Sequence, residues 1–446
     1  MNFLKSIKTL TIIGIVLSNL IQAQLPSKVL VGYWHNWETL RIKDVDDRYN
    51  VISLSFLEAD KNNSKDDNSI NDLEFTPYNA TQLKNDIPIV QADGKKVIIS
   101  IGGANGSFKL RNTTDKNTFV TKVKNFITEY NVDGIDIDIE RTIYICQTGN
   151  HSMSSPAIHI QYLIDGVKEL LTWYQSTYNK KMILTTAPEV SYTTGALSPW
   201  NSCNGAFLPF IEQLRDDIDL LMIQLYNSGS IYSLPGYSAN NSGAYNEGTE
   251  DFVITTTEAA IEGFTPKNTS LTGTYSGLPA NKIVVALPAC ANAGSGYLTP
   301  TKIKNAVKYL MGTGSKPGSY TLSNSYPTLR GLMTWSINND AKSTCGGTYT
   351  FAQAFEDIYG TIDNHHSISE IQLQKLNIYP NPSANNITID SKEILGETLT
   401  IIDFNGRVVK TIQITTSTTT INIGDLSNGF YTAKAALFVG KIILKK

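Results

Sequence analysis

The sequence predicts an α/β protein: a (β/α)8 TIM barrel followed by a small all-β sandwich domain. Two observations predict the barrel. Eight short apolar segments rich in β-branched residues follow one another, and helical patterns lie between several of them. Strands that alternate with helices pair in parallel, and eight such units favour a closed barrel. The eight segments are Lys28–Trp34, Tyr49–Phe56, Lys95–Ile101, Val132–Glu140, Lys181–Ala187, Ile218–Tyr226, Lys282–Pro288 and Leu329–Ser336.

The helical segments carry apolar residues at helical spacing behind a start signal. Asp115 is predicted to cap the first of them, Ser155-Pro156 to open the second and Thr299-Pro300 the third. An open doubly wound sheet is the alternative architecture. It usually has fewer strands, and the glycine-rich phosphate loop expected after its first strand is absent from this sequence.

The two ends of the chain differ from the barrel. Lys5 and Lys8, an apolar run from Leu10 to Ile21 and a small residue at Ala23 predict a signal peptide over residues 1–23. The barrel then covers residues 24–362, a polar linker 363–372 and the β-sandwich 373–446. Seven strands predict the sandwich: Leu376–Tyr379, Asn386–Ile389, Thr398–Ile402, Val408–Ile414, Thr419–Ile423, Gly429–Ala433 and Lys441–Leu444.

The composition of the chain excludes several classes of function. The 446 residues include 37 basic and 40 acidic side chains, a net charge of −3, which excludes binding to nucleic acid or anionic membrane by bulk charge. A charged fraction of 17% with 22 tyrosines suits neutral polar ligands such as sugars. The cysteines form no C-x-x-C pair and the histidines are scattered, so we expect no metal and no cofactor. No segment after the leader is apolar enough to span a membrane, and we expect an exported monomer.

The candidate chemistry lies in the fourth strand. Asp136, Asp138 and Glu140 alternate with isoleucines, so on a strand the three carboxylates share one face. In a barrel that face points inward, and crowded carboxylates raise the pKa of at least one, as a general acid requires. A solvent-facing strand edge and a calcium loop are the alternatives, but calcium loops use Asp, Asn and Gly turns rather than isoleucine spacers.

This strand resembles the family-18 glycoside hydrolases, the chitinase family, whose D-x-x-D-x-D-x-E hallmark matches Asp133, Asp136, Asp138 and Glu140. The resemblance covers about residues 24–362. Four further motifs agree with it, each at the end of a separate strand. They are Ser100-Ile101-Gly102-Gly103, Thr186-Ala187-Pro188-Glu189, Met222-Ile223-Gln224-Leu225-Tyr226-Asn227 and Met333-Thr334-Trp335-Ser336.

The resemblance implies a retaining mechanism in which the 2-acetamido group of the sugar is the nucleophile and forms an oxazolinium intermediate. Glu140 would be the acid and base, Asp138 would orient the acetamide, and Asp136 would share a proton with Asp138. Tyr226 would hydrogen-bond the acetamide oxygen. The implied substrate-binding residues are Tyr33, Gly103, Glu189, Gln224, Asn227 and Trp335.

Simpler interpretations remain open for several of these residues. Tyr226 and Gln224 can be barrel core, and Gly103 can be an ordinary turn glycine. Asp133 falls outside the inward period, so structural hydrogen bonding is favoured for it. Among the tryptophans, Trp37 and Trp200 are candidate sugar-stacking residues.

The implied substrate is chitin or N-acetylglucosamine oligomers. An endo-β-N-acetylglucosaminidase acting on N-glycans and a non-catalytic chitin-binding lectin are the alternatives, although Glu140 argues against the lectin. Some chitinases carry an α+β insertion between strands seven and eight. Only residues 289–328 are available for it here, so we expect no insertion, an open cleft and endo cleavage.

Four cysteines follow strands four, five, seven and eight. Loops after adjacent strands are neighbours in a barrel, so Cys146–Cys203 and Cys290–Cys345 are the preferred disulfides among three possible connectivities.

The C-terminal region resembles the type A sorting domain of type IX secretion substrates. The resemblance rests on Tyr379-Pro380-Asn381-Pro382, Asn405-Gly406-Arg407-Val408, Gly429-Phe430-Tyr431 and the basic end Lys441–Lys446. It implies the type IX export machinery as a partner and a secreted or cell-surface location. A carbohydrate-binding module is the alternative, but this region has no tryptophan for stacking on sugars.

Overall fold

A computed structural model describes residues 25–59, 68–147, 149–361, 374–390, 392–403, 407–435 and 438–446. The chain divides into two compact units between residues 364 and 365. The predicted signal peptide and the predicted linker at 363–372 lie outside the described residues.

The first unit is a barrel of eight parallel strands. We number them in chain order as β1 (Val29–His35), β2 (Val51–Leu57), β3 (Lys96–Gly102), β4 (Gly134–Asp138), β5 (Ile183–Thr186), β6 (Leu220–Leu221), β7 (Val284–Pro288) and β8 (Gly331–Trp335). Their order in the sheet is β7-β8-β1-β2-β3-β4-β5-β6. Parallel bridges from Leu221 to Ile283 and from Gln224 to Ala286 join β6 to β7, so the ring closes. The predicted barrel is confirmed.

A helix follows each strand except β1, after which the chain makes only a 3-10 turn at Ile42–Asp44. The helices are α1 (Ala80–Ala92), α2 (Thr113–Tyr130), α3 (Ile158–Tyr178), α4 (Leu208–Gln213), α5 (Glu250–Glu262), α6 (Pro300–Leu310) and α7 (Thr350–Tyr359). One-turn helices occupy Gly103–Gly106, Thr142–Ile145 and Ile337–Asp340.

Two of the three predicted helix starts were wrong. Asn112 rather than Asp115 caps α2, because its extended backbone lets its side chain accept the Asp115 N–H. The second helix begins at Ile158, three residues after Ser155, and has no side-chain cap. Thr299 caps α6 as predicted, accepting the Lys302 N–H.

The barrel core has two layers, and they explain the strand alternation. Ile135, Ile137 and Ile139 belong to the large cluster between strands and helices, as the period of two predicts. A separate cluster fills the barrel interior, where Tyr33 and Met333 are buried. The residues between the isoleucines therefore face the interior, which brings their carboxylates into the barrel.

Two disulfides join loops at the carboxyl end of the barrel. Cys146 pairs with Cys203, and Cys290 pairs with Cys345, with Cα atoms 5.3 Å apart in each pair. They link the loops after β4 and β5 and the loops after β7 and β8. These are the two pairs that the sequence favoured.

The span between β7 and β8 contains one helix, α6, and no strand among residues 289–330, all of which the structure describes. The chain therefore has no α+β insertion at this position.

The second unit is a β-sandwich. One sheet has five strands, Gln374–Lys375, Thr398–Ile402, Val408–Gln413, Gly429–Ala435 and Phe438–Leu444, and the other has Asn377–Tyr379, Asn386–Asp390 and Thr418–Asn422. Its core is mainly isoleucine and leucine, with Ile387, Ile401 and Ile442 fully buried. In neither unit does a described helix combine the length and apolar character needed to cross a membrane.

Candidate active site

A cavity of about 820 Å³ opens at the carboxyl ends of the barrel strands, within the range of about 300–1,000 Å³ typical of ligand sites. Six of the predicted site residues line it, namely Asp138, Glu140, Gln224, Tyr226, Asn227 and Trp335. Trp37, a predicted candidate for sugar stacking, also lines the cavity, and six further residues complete the lining: Asn36, Phe56, Glu58, Thr76, Ala104 and Asn105.

Four other predicted residues are not among those that line the cavity. Asp136 and Tyr33 are buried in the barrel interior, and Gly103 is buried against Phe56. Glu189 lies beside the catalytic strand. The position of Asp136 fits its expected role as the proton-sharing partner of Asp138, and contact of Tyr33, Gly103 and Glu189 with substrate stays a prediction.

Asp136 is held by three hydroxyl groups from three other strands. It accepts hydrogen bonds from Tyr33 Oη at 2.7 Å, Ser100 Oγ at 2.7 Å and Thr185 Oγ1 at 2.6 Å. Burial raises the pKa of Asp136, and the hydrogen bonds from Thr185, Ser100 and Tyr33 oppose that rise. Asp136 is thus rigidly placed beneath Asp138.

Gln224 connects Asp138 and Glu140. Its Nε2 lies 2.9 Å from Asp138 Oδ1, 3.2 Å from Glu140 Oε1 and 2.8 Å from the Ala187 carbonyl oxygen. An amide nitrogen has two hydrogens, so these three acceptors share them. The amide therefore fixes the two carboxyl groups relative to each other.

The pKa values of these two carboxyl groups are raised. Burial raises the pKa of Asp138 well above its usual value, and the charges of Glu140, Asp136 and Glu189 raise it further. Burial, followed by the charge of Glu189, raises the pKa of Glu140 to about 7. Hydrogen bonds from Gln224 and Asp138 limit that rise. Near neutral pH, Glu140 can therefore both give and take a proton.

Glu189 acts on the site through its charge and the backbone. Its Oε2 accepts the Arg141 N–H at 3.0 Å, directly after Glu140, where Arg141 has a left-handed φ of 72°. The pKa of Glu189 is itself raised by burial. Glu189 therefore holds the turn that follows the acid and raises the pKa of Glu140.

Aromatic rings form one wall of the cavity. Trp335 stacks on Phe56 with centroids 5.6 Å apart and meets Tyr33 edge-on at 5.9 Å. The His35 ring also packs against Trp335 at 4.8 Å, and Trp37 stacks on His35 at 4.3 Å. Since Trp335 and Trp37 both line the cavity, an apolar sugar face has a packed surface to lie on.

Tyr226 and Asn227 come from the segment after β6. Burial and then the charge of Asp138 raise the pKa of Tyr226, so its hydroxyl stays protonated and can donate to a ligand. Asn227 has a left-handed φ of 52°, and its Oδ1 accepts hydrogen bonds from Ser295 N at 3.0 Å and Oγ at 3.1 Å. Asn227 therefore holds the loop after β7 as well as lining the cavity.

Asp133 has the structural role that its position favours. Its Oδ2 accepts hydrogen bonds from Val97 N and Gln91 Nε2, both at 3.0 Å, at the amino end of β4. This end of the strand is opposite the cavity.

Ser107 is a positioning residue that the sequence analysis missed. Its Oγ accepts the Glu140 N–H at 2.8 Å and donates to the Gly103 carbonyl oxygen at 2.8 Å, and Ser107 is fully buried. Gly102 allows the end of β3 to approach β4 closely, because a Cβ there would lie 2.4 Å from the Asp138 carbonyl oxygen. No periodicity marks Ser107, since it follows the one-turn helix after β3.

We expect Ser107→Ala to lower the free energy of unfolding by about 1–3 kcal/mol, because it leaves a buried N–H and a buried C=O without a partner. Turnover should fall about tenfold if Glu140 shifts with its backbone. Urea denaturation and steady-state kinetics measure the two effects. Ser53→Ala is the matched control, because Ser53 Oγ is buried and bonds to none of the described residues. Equal losses in the two variants would contradict a special role for Ser107.

The fold and the site define a barrel enzyme whose buried carboxyl groups are suited to acid and base catalysis on a glycosidic bond. Residues 29–370 match the model of the glycosyl hydrolases family 18, and residues 377–445 match a secretion system C-terminal sorting domain. The chain belongs to glycosyl hydrolase family 18.

Curated relatives carry chitinase names. The chain is 37% identical over 350 residues to Chitinase ChiA of Flavobacterium johnsoniae, covering 74% of this chain and 21% of that one. It is 38% identical over 326 residues to Chitinase Chi52 of Paenibacillus xylanexedens, covering 71% of this chain and 59% of that one. The chain therefore spans about a fifth and about three fifths of these relatives' lengths.

A solved structure agrees with the fold. The family GH18 chitinase of Chromobacterium violaceum superposes with a TM-score of 0.63 at 30% identity, covering 75% of this chain and 84% of that chain. A second structure, titled putative Chitinase A of Streptomyces coelicolor, superposes with a TM-score of 0.57 at 26% identity, covering 74% of this chain and 99% of that chain.

Proposed function

We propose that the protein is a secreted chitinase that hydrolyses β-1,4 linkages between N-acetylglucosamine units with retention of configuration. The observation that carries this proposal is the Gln224 amide that bridges Asp138 and Glu140 on a cavity walled by Trp335. It supports a site in which one carboxyl group serves the leaving oxygen and the other serves the acetamide.

In the first step, Glu140 donates its proton to the glycosidic oxygen while the C1–O bond breaks. The acetamide carbonyl oxygen of the same sugar attacks C1 and forms the oxazolinium ion. Asp138 accepts the acetamide N–H and balances the positive charge, and the Tyr226 hydroxyl orients the acetamide oxygen. The raised pKa of Glu140, about 7, supports its role as the acid.

In the second step, Glu140 takes a proton from water, whose oxygen attacks C1 and reopens the ring of the intermediate. Two displacements at C1 restore the original configuration. Because burial raises the pKa of Asp138, Asp138 carries the charge that balances the oxazolinium ion only once its proton passes to Asp136. Asp136 is the neighbouring carboxylate on the same strand face, and the hydroxyls of Tyr33, Ser100 and Thr185 stabilise it. No cofactor or metal has a role in this scheme.

Export follows from the second unit. Because residues 377–445 match a sorting domain, we propose that the type IX machinery moves the chain to the exterior or the cell surface. The two disulfides at the cavity end suit an oxidising location outside the cytoplasm.

A substrate panel tests the proposed activity. We expect release of short products from N-acetylglucosamine hexamer and none from a denatured N-glycoprotein. The opposite result would support the endo-β-N-acetylglucosaminidase alternative, and binding of hexamer with no cleavage would support the lectin alternative.

The same digest tests the mode of attack. Because the β7–β8 span adds no extra wall, we expect internal cleavage, with trimer and disaccharide both present at the earliest times. Mass spectrometry of timed samples measures the product ratio. Disaccharide alone at early times would contradict an open cleft with endo attack.

A further inference from the structure

Outside the cavity, the loops after β5 and β6 present an aromatic cluster, which we call the Trp200 platform. It consists of exposed Trp200 and two half-buried tyrosines, Tyr232 and Tyr237. Trp200 is 64% exposed, more than Trp37 at 50%. Its ring lies 4.4 Å from that of Tyr237 and 5.6 Å from that of Tyr232. None of the three lines the catalytic cavity.

The platform is held in place by its surroundings. Three residues beyond Trp200, Cys203 is disulfide-bonded to the loop after β4. The Tyr237 N–H donates to the Leu197 carbonyl oxygen at 2.9 Å, which joins the two platform loops. Because the loops that carry the rings are tethered before a ligand arrives, binding on them loses little backbone conformational entropy.

The chemistry of these loops indicates the ligand. No charged residue occurs from Val190 to Ile211 or from Leu220 to Asn246, although 17% of the chain is charged. The side chains there are mainly hydroxyl, amide and aromatic groups. The side chain of Lys267 packs against Gly236 in one of these loops. An exposed indole in a neutral polar surface suits the apolar face of an uncharged sugar ring.

The barrel order places the platform relative to the cleft. In the eight-stranded ring, β1 and β5 are four strands apart in both directions, so Trp37 and Trp200 follow opposite strands. Glu140 follows β4, between them along one side of the ring. A polymer crossing the mouth from Trp37 towards Trp200 passes the acid, whereas a short oligomer can bind without reaching Trp200.

We propose that the Trp200 platform is a second binding surface for the uncharged N-acetylglucosamine chain of insoluble chitin. The proposal rests on the proposed function. It predicts that Trp200 matters for polymer and not for short soluble oligomers.

The test compares Trp200→Ala with Trp200→Phe in the full-length chain. In a Glu140→Gln background, which lowers turnover about 10³-fold, Trp200→Ala should weaken binding to insoluble chitin about fivefold, because one stacked ring contributes about 0.5–1.5 kcal/mol. Trp200→Phe should restore most of the affinity. Phe430→Ala is the matched control, because Phe430 is 58% exposed in the other unit. It should leave binding unchanged.

Hydrolysis separates this proposal from the proposed function. With Glu140 intact, Trp200→Ala should cleave N-acetylglucosamine tetramer at the parent rate and insoluble chitin several-fold more slowly. If Trp200→Ala binds chitin as the parent does, or loses the same fraction of its hydrolysis rate on tetramer as on chitin, the Trp200 platform is refuted and the proposed function is not. A parent chain that cleaves neither substrate would refute the proposed function. A dimeric parent with a monomeric Trp200→Ala variant on gel filtration would assign the surface to a second copy of the chain.

Discussion

Glu140→Gln is expected to lower kcat on N-acetylglucosamine oligomers about 10³-fold, because general acid and base catalysis contributes about 10²–10⁴-fold and one residue serves both steps here. Glutamine keeps the size of the side chain and its place beside Gln224. Oligomer affinity should therefore stay within about threefold of the parent, since the cavity walls are unchanged. Steady-state kinetics and calorimetric titration measure the two quantities.

The pH dependence sharpens this prediction. With the pKa of Glu140 at about 7, the parent should lose activity as the pH rises through 7, because the acid is then ionised before the first step. The residual activity of Glu140→Gln should not fall as the pH rises through 7. If the variant still loses activity there, another group titrates, which would count against Glu140 as the acid.

The same substitution should stabilise the fold at high pH. The folded-state pKa of Glu140 is raised above its ordinary value of 4.5, so its favourable contribution is complete below pH 4.5 and lost as the pH rises through about 7. Glutamine does not ionise. The melting temperature of Glu140→Gln should exceed that of the parent at pH 8, with a smaller difference at pH 5. Asp133→Asn, which removes a hydrogen-bonded carboxylate from the other end of β4, should not show this gain.

The barrel and the acidic strand could be predicted because both follow from local periodicity. Apolar segments that alternate with helical patterns leave few topologies, and a period of two places Asp136 and Asp138 on one face of β4. The same rule applied to β5 places Thr185 on the face of Ala187. Strand periodicity in the sequence is therefore enough to place Thr185 and Asp136 on the inner face of neighbouring strands, where they form a hydrogen bond.

Contacts that depend on loop conformation could not be predicted. Ser107 reaches the Glu140 backbone because Gly102 has a φ of 114° and the chain then makes one helical turn.

Contacts across the barrel could not be predicted either. Tyr33 and Asp136 are 103 residues apart and lie on strands that do not pair. Their hydrogen bond depends on the diameter of the closed barrel. The family resemblance suggested Tyr33 for the pocket but not its partner.

Asp138→Asn is expected to lower kcat about 10²-fold, because it removes the charge that balances the oxazolinium ion while keeping the shape of the side chain. Asp138 is buried, and its carboxylate is stabilised by Gln224 at 2.9 Å. In that low-dielectric position a charge opposite the acetamide nitrogen has a large effect. Asparagine can still accept a hydrogen bond, so the ground-state affinity for oligomers should change little.

A thiazoline mimic of the intermediate distinguishes this role from a structural one. It should inhibit the parent strongly and Asp138→Asn about 100-fold more weakly, because the inhibitor gains from the same charge as the oxazolinium ion. Asp133→Asn is the matched control on the same strand, since it removes a carboxylate that contacts backbone and Gln91 rather than ligand. Its inhibition constant should equal that of the parent even if its melting temperature falls.

If the thiazoline fails to inhibit the parent, the sugar's acetamide is not the nucleophile. Asp138 would then be the group to test by trapping a covalent glycosyl-enzyme, since two displacements at C1 with a carboxylate nucleophile also retain configuration.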